Sequence, residues 1–289
     1  MTLRVGLRQW RVGRVAGVAG WAARLDSVVA KAAAHGAQLL VLPEYAGMEM
    51  AAGELPDVAA ELGRATEMSG AALAAAREVA RRHHVWLLPG TLPFAQADGR
   101  VLNRAPLIDP EGRVAMQDKH VMTRFEAEQW GVGAGAPPGV FETSWGRIGI
   151  AICFDAEFPN LVRAQVEAGA WLVLVPTCTD TPHGFNRVRI AAAARAMENQ
   201  CFVAMAPTVG AAPWCAAMDD NHGYAAVFGP VDHGFAEDGV VAQGVLDAEG
   251  WVYAELDPAR IAAVRDDGAV RNYRSWPATP PPCPVRVPA

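Results

Sequence analysis

Short, uninterrupted apolar runs alternate with Ala-rich stretches along most of the chain, and this alternation limits the possible folds. A run that is apolar on both faces is typical of a strand covered on both sides, and apolar residues at helical spacing predict a helix. The predicted strands include Leu3–Gln9, Gln38–Leu42, Val85–Leu92, Trp171–Pro176 and Cys201–Pro207. The predicted helices between and after them are Trp21–His35, Ser69–His83, Phe158–Gly169 and Phe185–Asn199. The sequence therefore predicts an α/β fold.

Antiparallel strands follow the strand–helix alternation in each half of the chain. Arg100–Ile108 and Gly112–Asp118, for example, are joined by residues typical of a hairpin turn. No Gly/Ser linker separates the halves, so we predict a single domain over residues 1–267, a sandwich of two internally similar halves with helices outside and two sheets inside. Residues 268–289 are Pro-rich and without periodicity, which predicts a C-terminal tail.

Composition restricts the partners and the location of the protein. Of the 289 residues, 52% are apolar and 19% are charged, and the net charge of −6 with no basic run argues against nucleic acid as a partner. There is no stretch of the roughly 18 apolar residues that a membrane helix needs, and no signal-peptide pattern. We therefore expect a cytoplasmic protein with no membrane partner. Five widely spaced cysteines without C-x-x-C predict neither a disulfide framework nor a zinc knuckle.

Three polar residues come directly after predicted strands. Cys153 lies between the apolar run Arg147–Ile152 and a predicted helix, whose amino end would favour a thiolate. Glu44 follows another apolar strand and would lie at the carboxyl edge of a parallel sheet, while Lys119 follows a hairpin. Each has an ordinary structural explanation when taken alone. If the halves pack face to face, however, Glu44 could deprotonate Cys153, and Lys119 could neutralise an oxyanion.

The segments around these residues resemble the motifs of the nitrilase superfamily, the carbon–nitrogen hydrolases, and in particular its amidase-like branch. The similar segments are Leu40–Glu44, Asp118–His120 and Gly149–Asp155, and the resemblance extends from Val5 to about Leu256. It implies a four-layer α-β-β-α sandwich and a triad of Glu44, Lys119 and Cys153. It also implies a second glutamate, which is Glu126 when the motif is read without gaps and Glu128 when the loop is shifted. Neither a cofactor nor a metal is implied.

The resemblance further implies covalent chemistry. Glu44 would deprotonate Cys153, and Lys119 with the backbone N–H of Phe154 would stabilise the oxyanion before water hydrolyses a thioester. Glu126 would orient Lys119 or the leaving nitrogen. Phe154-Asp155 after the cysteine favours hydrolysis of a small-molecule amide to a carboxylate and ammonia, with a nitrile or an N-carbamoyl compound as the alternative substrate.

Substrate contacts are expected from two places in the sequence. Tyr45 and Trp130 are candidate pocket walls, and a polar run of Thr177, Cys178 and Thr179 follows the strand Trp171–Pro176. Asp180 could meet a substrate amine or could simply shape its loop, and Arg187 or Arg189 could bind a carboxylate. The family resemblance also implies a homodimer or a larger homo-oligomer, formed through the helices that flank the nucleophile.

Three other classes of function remain open from the sequence. A metal hydrolase would use the seven histidines, but none shows H-x-x-x-H spacing with an acid between. A non-catalytic scaffold is disfavoured because Glu44, Lys119 and Cys153 are all present. An acyltransferase would pass the same thioester to an amine or alcohol.

Overall fold

Two β-sheets pack against each other in the computed structural model, which describes residues 1–51, 53, 55 and 57–278. In chain order the strands are β1 (Leu3–Arg11), β2 (Leu39–Val41), β3 (Trp86–Leu88), β4 (Leu92–Ala95), β5 (Val101–Ile108), β6 (Val114–Asp118), β7 (Val132–Gly133), β8 (Val140–Thr143), β9 (Gly146–Ile150), β10 (Leu172–Thr177), β11 (Phe202–Val209), β12 (Ala226–Phe228), β13 (Val240–Gln243) and β14 (Gly250–Leu256). The strands are continuous through a pairing of β1 with β11, on either side of which lie two sheets: β1 to β7 with β14, and β8 to β13.

Helices cover the outer face of each sheet. They are α1 (Gly17–Ala34), α2 (Val58–His83), α3 (Pro159–Glu167), α4 (Pro182–Asn199) and α5 (Pro258–Asp267). In β2, Leu40 packs in one cluster with the apolar faces of α1 and α2, whereas Leu39 and Val41 pack in another with Ile148 and Ile150 of the second sheet. Alternate side chains of a strand point to opposite faces, so this strand is apolar throughout because both of its faces are buried. The predicted α-β-β-α sandwich is confirmed.

The two halves place equivalent strand ends on the same edge of the molecule. β1, β2 and β3 are parallel neighbours, and so are β9, β10 and β11. A short parallel pairing of β1 with β11, in which Trp10 lies opposite Thr208, joins the sheets. The carboxyl ends of β2 and β9 therefore point in the same direction, and this brings the residues that follow them together.

Two elements differ most from the sequence prediction. α2 begins at Val58 rather than Ser69, with the Asp57 side chain accepting a hydrogen bond from Ala60 N at 2.8 Å. The predicted strand Val85–Leu92 is two strands, β3 and β4, because the chain turns at Gly90 with φ +92°. A Cβ atom at Gly90 would lie 2.3 Å from the carbonyl oxygen of Pro43, so this turn packs directly against the segment that carries Glu44.

The chain after α5 packs on the second half. Tyr273 N donates to Gln200 Oε1 at 3.1 Å, and the Arg163 guanidinium lies 4.6 Å from the ring centroid of Trp276. Residues 279–289 of the predicted tail lie outside the described residues. Within the described ranges, none of the helices has both the length and the apolar character needed to cross a membrane.

Candidate active site

A buried ammonium bridges two carboxylates at the edge where β2, β6 and β9 end. Lys119 Nζ lies 2.7 Å from Glu44 Oε1 and 2.6 Å from Glu126 Oε2. Asn103 Nδ2 donates to Glu44 Oε1 at 2.9 Å. All four residues are buried, so the charges of Lys119 and the two glutamates interact in a poorly screened environment.

Local backbone conformation aims these side chains. The residue after Glu44, Tyr45, has φ +57°, which turns the chain sharply out of β2, and its N–H donates to Thr91 Oγ1 at 2.9 Å. Lys119 leaves β6 with its N–H bound to the carbonyl of Asn103 on β5 at 2.8 Å. The neighbouring strand therefore supplies both a backbone contact to Lys119 and a side-chain contact to Glu44.

Cys153 lies at a strained turn rather than at the start of an α-helix. It has φ +48° and opens a 3₁₀ turn over Cys153–Glu157, and α3 begins only at Pro159. The predicted helix therefore begins six residues after Cys153, and the amino end next to the thiol is that of the short 3₁₀ turn. Cys153 Sγ instead lies 3.7 Å from the carbonyl oxygen of Cys178, whose N–H donates to Glu44 Oε2 at 3.2 Å. Cys178 thus contacts both the thiol and the carboxylate through its backbone.

Burial dominates the acid–base properties of the thiol and its neighbour. Burial raises the pKa of Cys153 well above its usual value, and the adjacent Glu44 carboxylate raises it further. A raised pKa favours the protonated thiol, which suits a thiol that the neighbouring Glu44 would deprotonate. Burial also raises the pKa of Glu44 to about 7, although Lys119 opposes the shift. A carboxylate that titrates near neutral pH is well suited to act as a general base.

The second glutamate beside Lys119 is Glu126, not Glu128. Glu126 Oε2 also accepts from Thr123 Oγ1 at 2.8 Å, and Glu126 Oε1 accepts from Tyr45 Oη at 2.7 Å. Burial would raise the pKa of Glu126, but Lys119 and these donors outweigh it and lower the pKa below its usual value. Glu128 is exposed and pairs with Arg124 at 2.9 Å.

The predicted pocket residues differ in what they contact. Tyr45 packs edge-on against Trp130 with ring centroids 4.9 Å apart, and Trp130 Nε1 donates to the carbonyl of Val58. Cys178 is partly exposed. The hydroxyls of Thr177 and Thr179 bind backbone carbonyls, those of Ala206 and His222 respectively.

Polar residues farther from Cys153 are turned toward solvent or toward each other. Asp180 is exposed, Arg187 pairs with Glu157 at 3.4 Å, and Arg189 Nε donates to Asn186 Oδ1 at 3.1 Å. The predicted oxyanion donor, Phe154, follows the thiol in the same turn, and its ring packs edge-on against Phe158 with centroids 4.9 Å apart.

Asp155 holds the cysteine turn to the lysine loop, a role that sequence reasoning missed. It is fully buried, and its carboxylate accepts from the N–H groups of His120 at 3.2 Å and Val121 at 2.8 Å. These two residues directly follow Lys119. Asp155 was recognised only as part of a motif, since nothing in the sequence shows which distant N–H groups it meets.

Two further observations bear on alternative sites. Across the described part of the chain, no group of three or more His, Cys, Asp or Glu side chains could hold a metal ion.

A groove of about 800 Å³ lies between the β5–β6 turn and β8, lined by residues such as Trp86, Arg113 and Phe141. It lies at the amino ends of β3 and β9 and contains none of the residues around Lys119.

Comparison with known proteins identifies the family. The sequence profile described as carbon-nitrogen hydrolase matches residues 4–266. The probable hydrolase YhcX of Bacillus subtilis is 33% identical over 211 residues, which are 73% of this chain but only 41% of YhcX, so the match spans less than half of that relative. Deaminated glutathione amidase from Synechocystis sp. is 29% identical over 261 residues, covering 86% of this chain and 90% of that protein.

Solved structures of an amidase from Nesterenkonia sp. AN1, a member of the nitrilase superfamily, have a similar fold. A complex of it with acrylamide has a TM-score of 0.72 and 25% identity, covering 95% of this chain and 97% of that one. Another of its structures carries the acetamide moiety of fluoroacetamide covalently on the active site cysteine. With the profile match, these likenesses show that the chain belongs to the carbon-nitrogen hydrolase family, within the nitrilase superfamily.

Proposed function

We propose that the chain hydrolyses a small-molecule amide to a carboxylate and ammonia through a thioester on Cys153. The observation that carries this proposal is the buried contact of Lys119 with Glu44 and Glu126, with the thiol at the same strand edge. A protonated thiol beside a carboxylate with a pKa of about 7 is suited to deprotonation at the moment of attack. The amidases among the similar proteins favour an amide as the substrate.

Acylation would proceed with Glu44 as the proton carrier. Glu44 takes the proton of Cys153 as sulfur attacks the amide carbon, and the carbonyl oxygen becomes an oxyanion. Lys119 and the N–H of Phe154 stabilise that oxyanion. The C–N bond then breaks, and the proton on Glu44 passes to the departing nitrogen, which leaves as ammonia.

Deacylation reverses the proton transfers. Glu44 takes a proton from water, and the hydroxide attacks the thioester carbon. The C–S bond breaks, the thiolate of Cys153 regains the proton held by Glu44, and the carboxylic acid leaves and ionises. Glu126 keeps Lys119 charged and directed at the oxyanion through both steps.

Substitution of the nucleophile tests this proposal. Cys153→Ala should abolish hydrolysis of every amide in a panel while leaving the melting temperature close to that of the wild type, because the thiol is a weak hydrogen-bonding group and alanine keeps most of the small side chain. After a rapid quench, intact mass should show an acyl adduct on the wild type and none on Cys153→Ala. A matched control, Cys201→Ala, removes a buried thiol elsewhere and should retain activity. Retained activity in Cys153→Ala would disprove the mechanism.

Including nitriles and N-carbamoyl compounds in that panel separates the reaction classes. Adducts formed only from nitriles would replace the amidase proposal with a nitrilase one. A full panel without any adduct or product would favour a non-catalytic scaffold.

We further propose that the protein acts as a homodimer or larger homo-oligomer, because α4 exposes apolar side chains at Ile190 and Met197.

A further inference from the structure

Three of the candidate site residues are part of an apolar cluster that reaches the surface. Tyr45, Trp130 and Cys178 pack together with other apolar side chains, several of which are partly exposed. The partly exposed members of this cluster include Met122, Phe125, Cys178 and Trp214. We call these four side chains, with Tyr45 and Trp130, the apolar wall. The Cys178 carbonyl, 3.7 Å from the sulfur of Cys153, connects this wall to the nucleophile.

Two aromatic contacts fix the orientation of the wall. The Phe125 ring packs edge-on against Trp130 with centroids 5.0 Å apart, and Trp130 does the same against Tyr45. Trp214 Nε1 donates to the carbonyl of Gly13 at 3.4 Å. An apolar acyl group lying on these rings would bury its surface without leaving a polar group unpaired.

The charges near the nucleophile would oppose an anionic acyl group. The largest charge effects on the Cys153 thiol, after burial, come from Glu44 and Lys119. The ammonium of Lys119 is already in contact with two carboxylates. A substrate carboxylate held against the wall would add a negative charge that Lys119, already paired with two carboxylates, could not neutralise, and such a charge is costly in a buried site.

The arginines considered from the sequence do not change this balance. Arg187 pairs with Glu157, and Arg189 hydrogen bonds to Asn186. Arg14 does reach the cluster, with its guanidinium 4.7 Å from the ring centroid of Trp214. Arg14 is exposed and is the cation that could pair with the carboxylate of an anionic substrate, so an Arg14→Ala variant is included in the test below.

We propose that the site selects primary amides with an uncharged, apolar acyl group and discriminates against amides whose acyl chain ends in a carboxylate. This inference rests on the proposed amide hydrolysis and names the substrate class of that site. The matched probes are hexanamide and adipic acid monoamide, which have the same chain length and differ in a terminal methyl or carboxylate. Phenylacetamide adds an aromatic member to the neutral class.

Binding and turnover are measured separately, so that the two proposals can fail separately. Dissociation constants are determined by calorimetry with Cys153→Ala, and kcat/KM with the wild type. We expect hexanamide and phenylacetamide to exceed adipic acid monoamide by about 100-fold in both measurements, since an unpaired buried carboxylate is strongly disfavoured. The neutral amides binding without any turnover would overturn the amidase proposal and leave the selectivity intact. Equal or tighter binding of adipic acid monoamide, or no binding of any probe, would overturn the selectivity.

Placing a cation in the apolar wall provides a gain-of-function test. Met122→Lys should narrow the preference for hexanamide over adipic acid monoamide at least tenfold, because the partly exposed position can present an ammonium to the substrate. Val245→Lys, at an apolar side chain 73% exposed elsewhere, is the control and should leave the ratio unchanged. Arg14→Ala should also leave the ratio unchanged. A carboxylate preference in the wild type that Arg14→Ala removes would assign the site to anionic amides instead.

Discussion

Glu44 and Glu126 share one ammonium, and their different hydrogen-bond donors give them different pKa values. Besides Lys119, Glu126 accepts from Tyr45 Oη and from both the N–H and the hydroxyl of Thr123. Glu44 accepts from Asn103 and from the N–H of Cys178, which is 3.2 Å away. Donors to a carboxylate favour its charged form. We therefore expect Glu126 to remain the charged partner of Lys119 and Glu44 to be the carboxylate that exchanges a proton.

The raised pKa of Glu44 predicts the acidic limb of the pH–rate profile. Its carboxylate titrates near pH 7 instead of near 4.5, because burial disfavours the charge. The base is therefore lost as pH falls through 7, and kcat/KM should drop about tenfold per pH unit below that point. Glu44 also binds its proton more tightly in the folded chain than in the unfolded chain. This difference adds to the free energy of unfolding in full below pH 4.5, and the added stability is lost as pH rises through 7.

Measuring kcat/KM from pH 5 to pH 9 with a neutral amide as the substrate would test this prediction. The neutral amide is needed because its own charge does not change over the range. Glu44→Gln should lose most activity at every pH, since the amide cannot accept the thiol proton. An acidic limb near pH 4.5 in the wild type would contradict the assignment of Glu44 as the base.

Glu126 and Glu128 form a natural pair for testing which acid acts with Lys119. Glu126→Gln keeps the size of the side chain but removes the negative charge 2.6 Å from Lys119 Nζ, so we expect kcat to fall about 100-fold. Glu128→Gln removes only an exposed ion pair with Arg124 and should leave kcat within about twofold of the wild type. Steady-state kinetics of both variants decide the point. A larger loss in Glu128→Gln would mean that the loop is shifted when substrate is bound.

At the scale of elements, the site depends on how two turns meet. The turn after β9 carries Cys153, and the loop after β6 carries Lys119. Asp155 joins them by accepting the N–H groups of His120 and Val121. The distance between the thiol and the ammonium is therefore set by a buried carboxylate that does not itself contact either group.

Asp155→Asn should impair catalysis more than binding. One carboxylate oxygen becomes an NH₂ that faces a backbone N–H, so the lysine loop should shift away from the thiol. We expect kcat to fall roughly 10-fold to 100-fold with little change in KM, and iodoacetamide to alkylate Cys153 with an altered pH dependence. Kinetics and alkylation rates together measure this positioning role.

The control for Asp155 is Asp109, which also accepts two backbone N–H groups but lies in the β5–β6 turn. It binds Glu111 N at 3.0 Å and Arg113 N at 2.8 Å. Asp109→Asn should lower the melting temperature while leaving kcat unchanged. If kcat falls in both variants in proportion to the loss of stability, Asp155 has only a structural role.

Sequence reasoning succeeded for elements whose signal is local. Glu44, Lys119 and Cys153 each lie within three residues of the carboxyl end of a strand, so a common edge could be expected once the two halves were taken to pack face to face. The prediction failed for elements whose boundaries depend on tertiary contacts. The buried face of α2 consists largely of small residues such as Ala65 and Ala72, which gives a weak apolar pattern and hid the first turns of the helix.

Site residues that act through distant partners were equally hard to predict. Asn103 lies in the middle of β5 and reaches Glu44 only because the sheet brings its strand beside the lysine strand. Thr123 becomes a donor to Glu126 through the turn between them. A polar residue in a strand or loop has many structural uses, so its partner cannot be identified before the fold is known.

At the scale of the whole molecule, α4 leaves apolar surface uncovered on a single chain. Ile190 is 59% exposed and Met197 is 40% exposed, and they lie two helical turns apart on the same face. α4 also packs against the turn that begins at Cys153. A second copy of the chain covering this face would both bury the apolar side chains and support the turn that carries Cys153.

Ile190→Asp should separate such an assembly into single chains. The wild type is expected to have the mass of two or more chains in light scattering after size exclusion, and Ile190→Asp the mass of one, because a buried carboxylate without a partner opposes association. Val245→Asp, at an exposed apolar residue outside α4, should leave the mass unchanged. Since α4 supports the Cys153 turn, dissociation should also lower kcat. A wild type that is monomeric at every concentration, or an Ile190→Asp variant that stays associated, would contradict an interface on this face of α4.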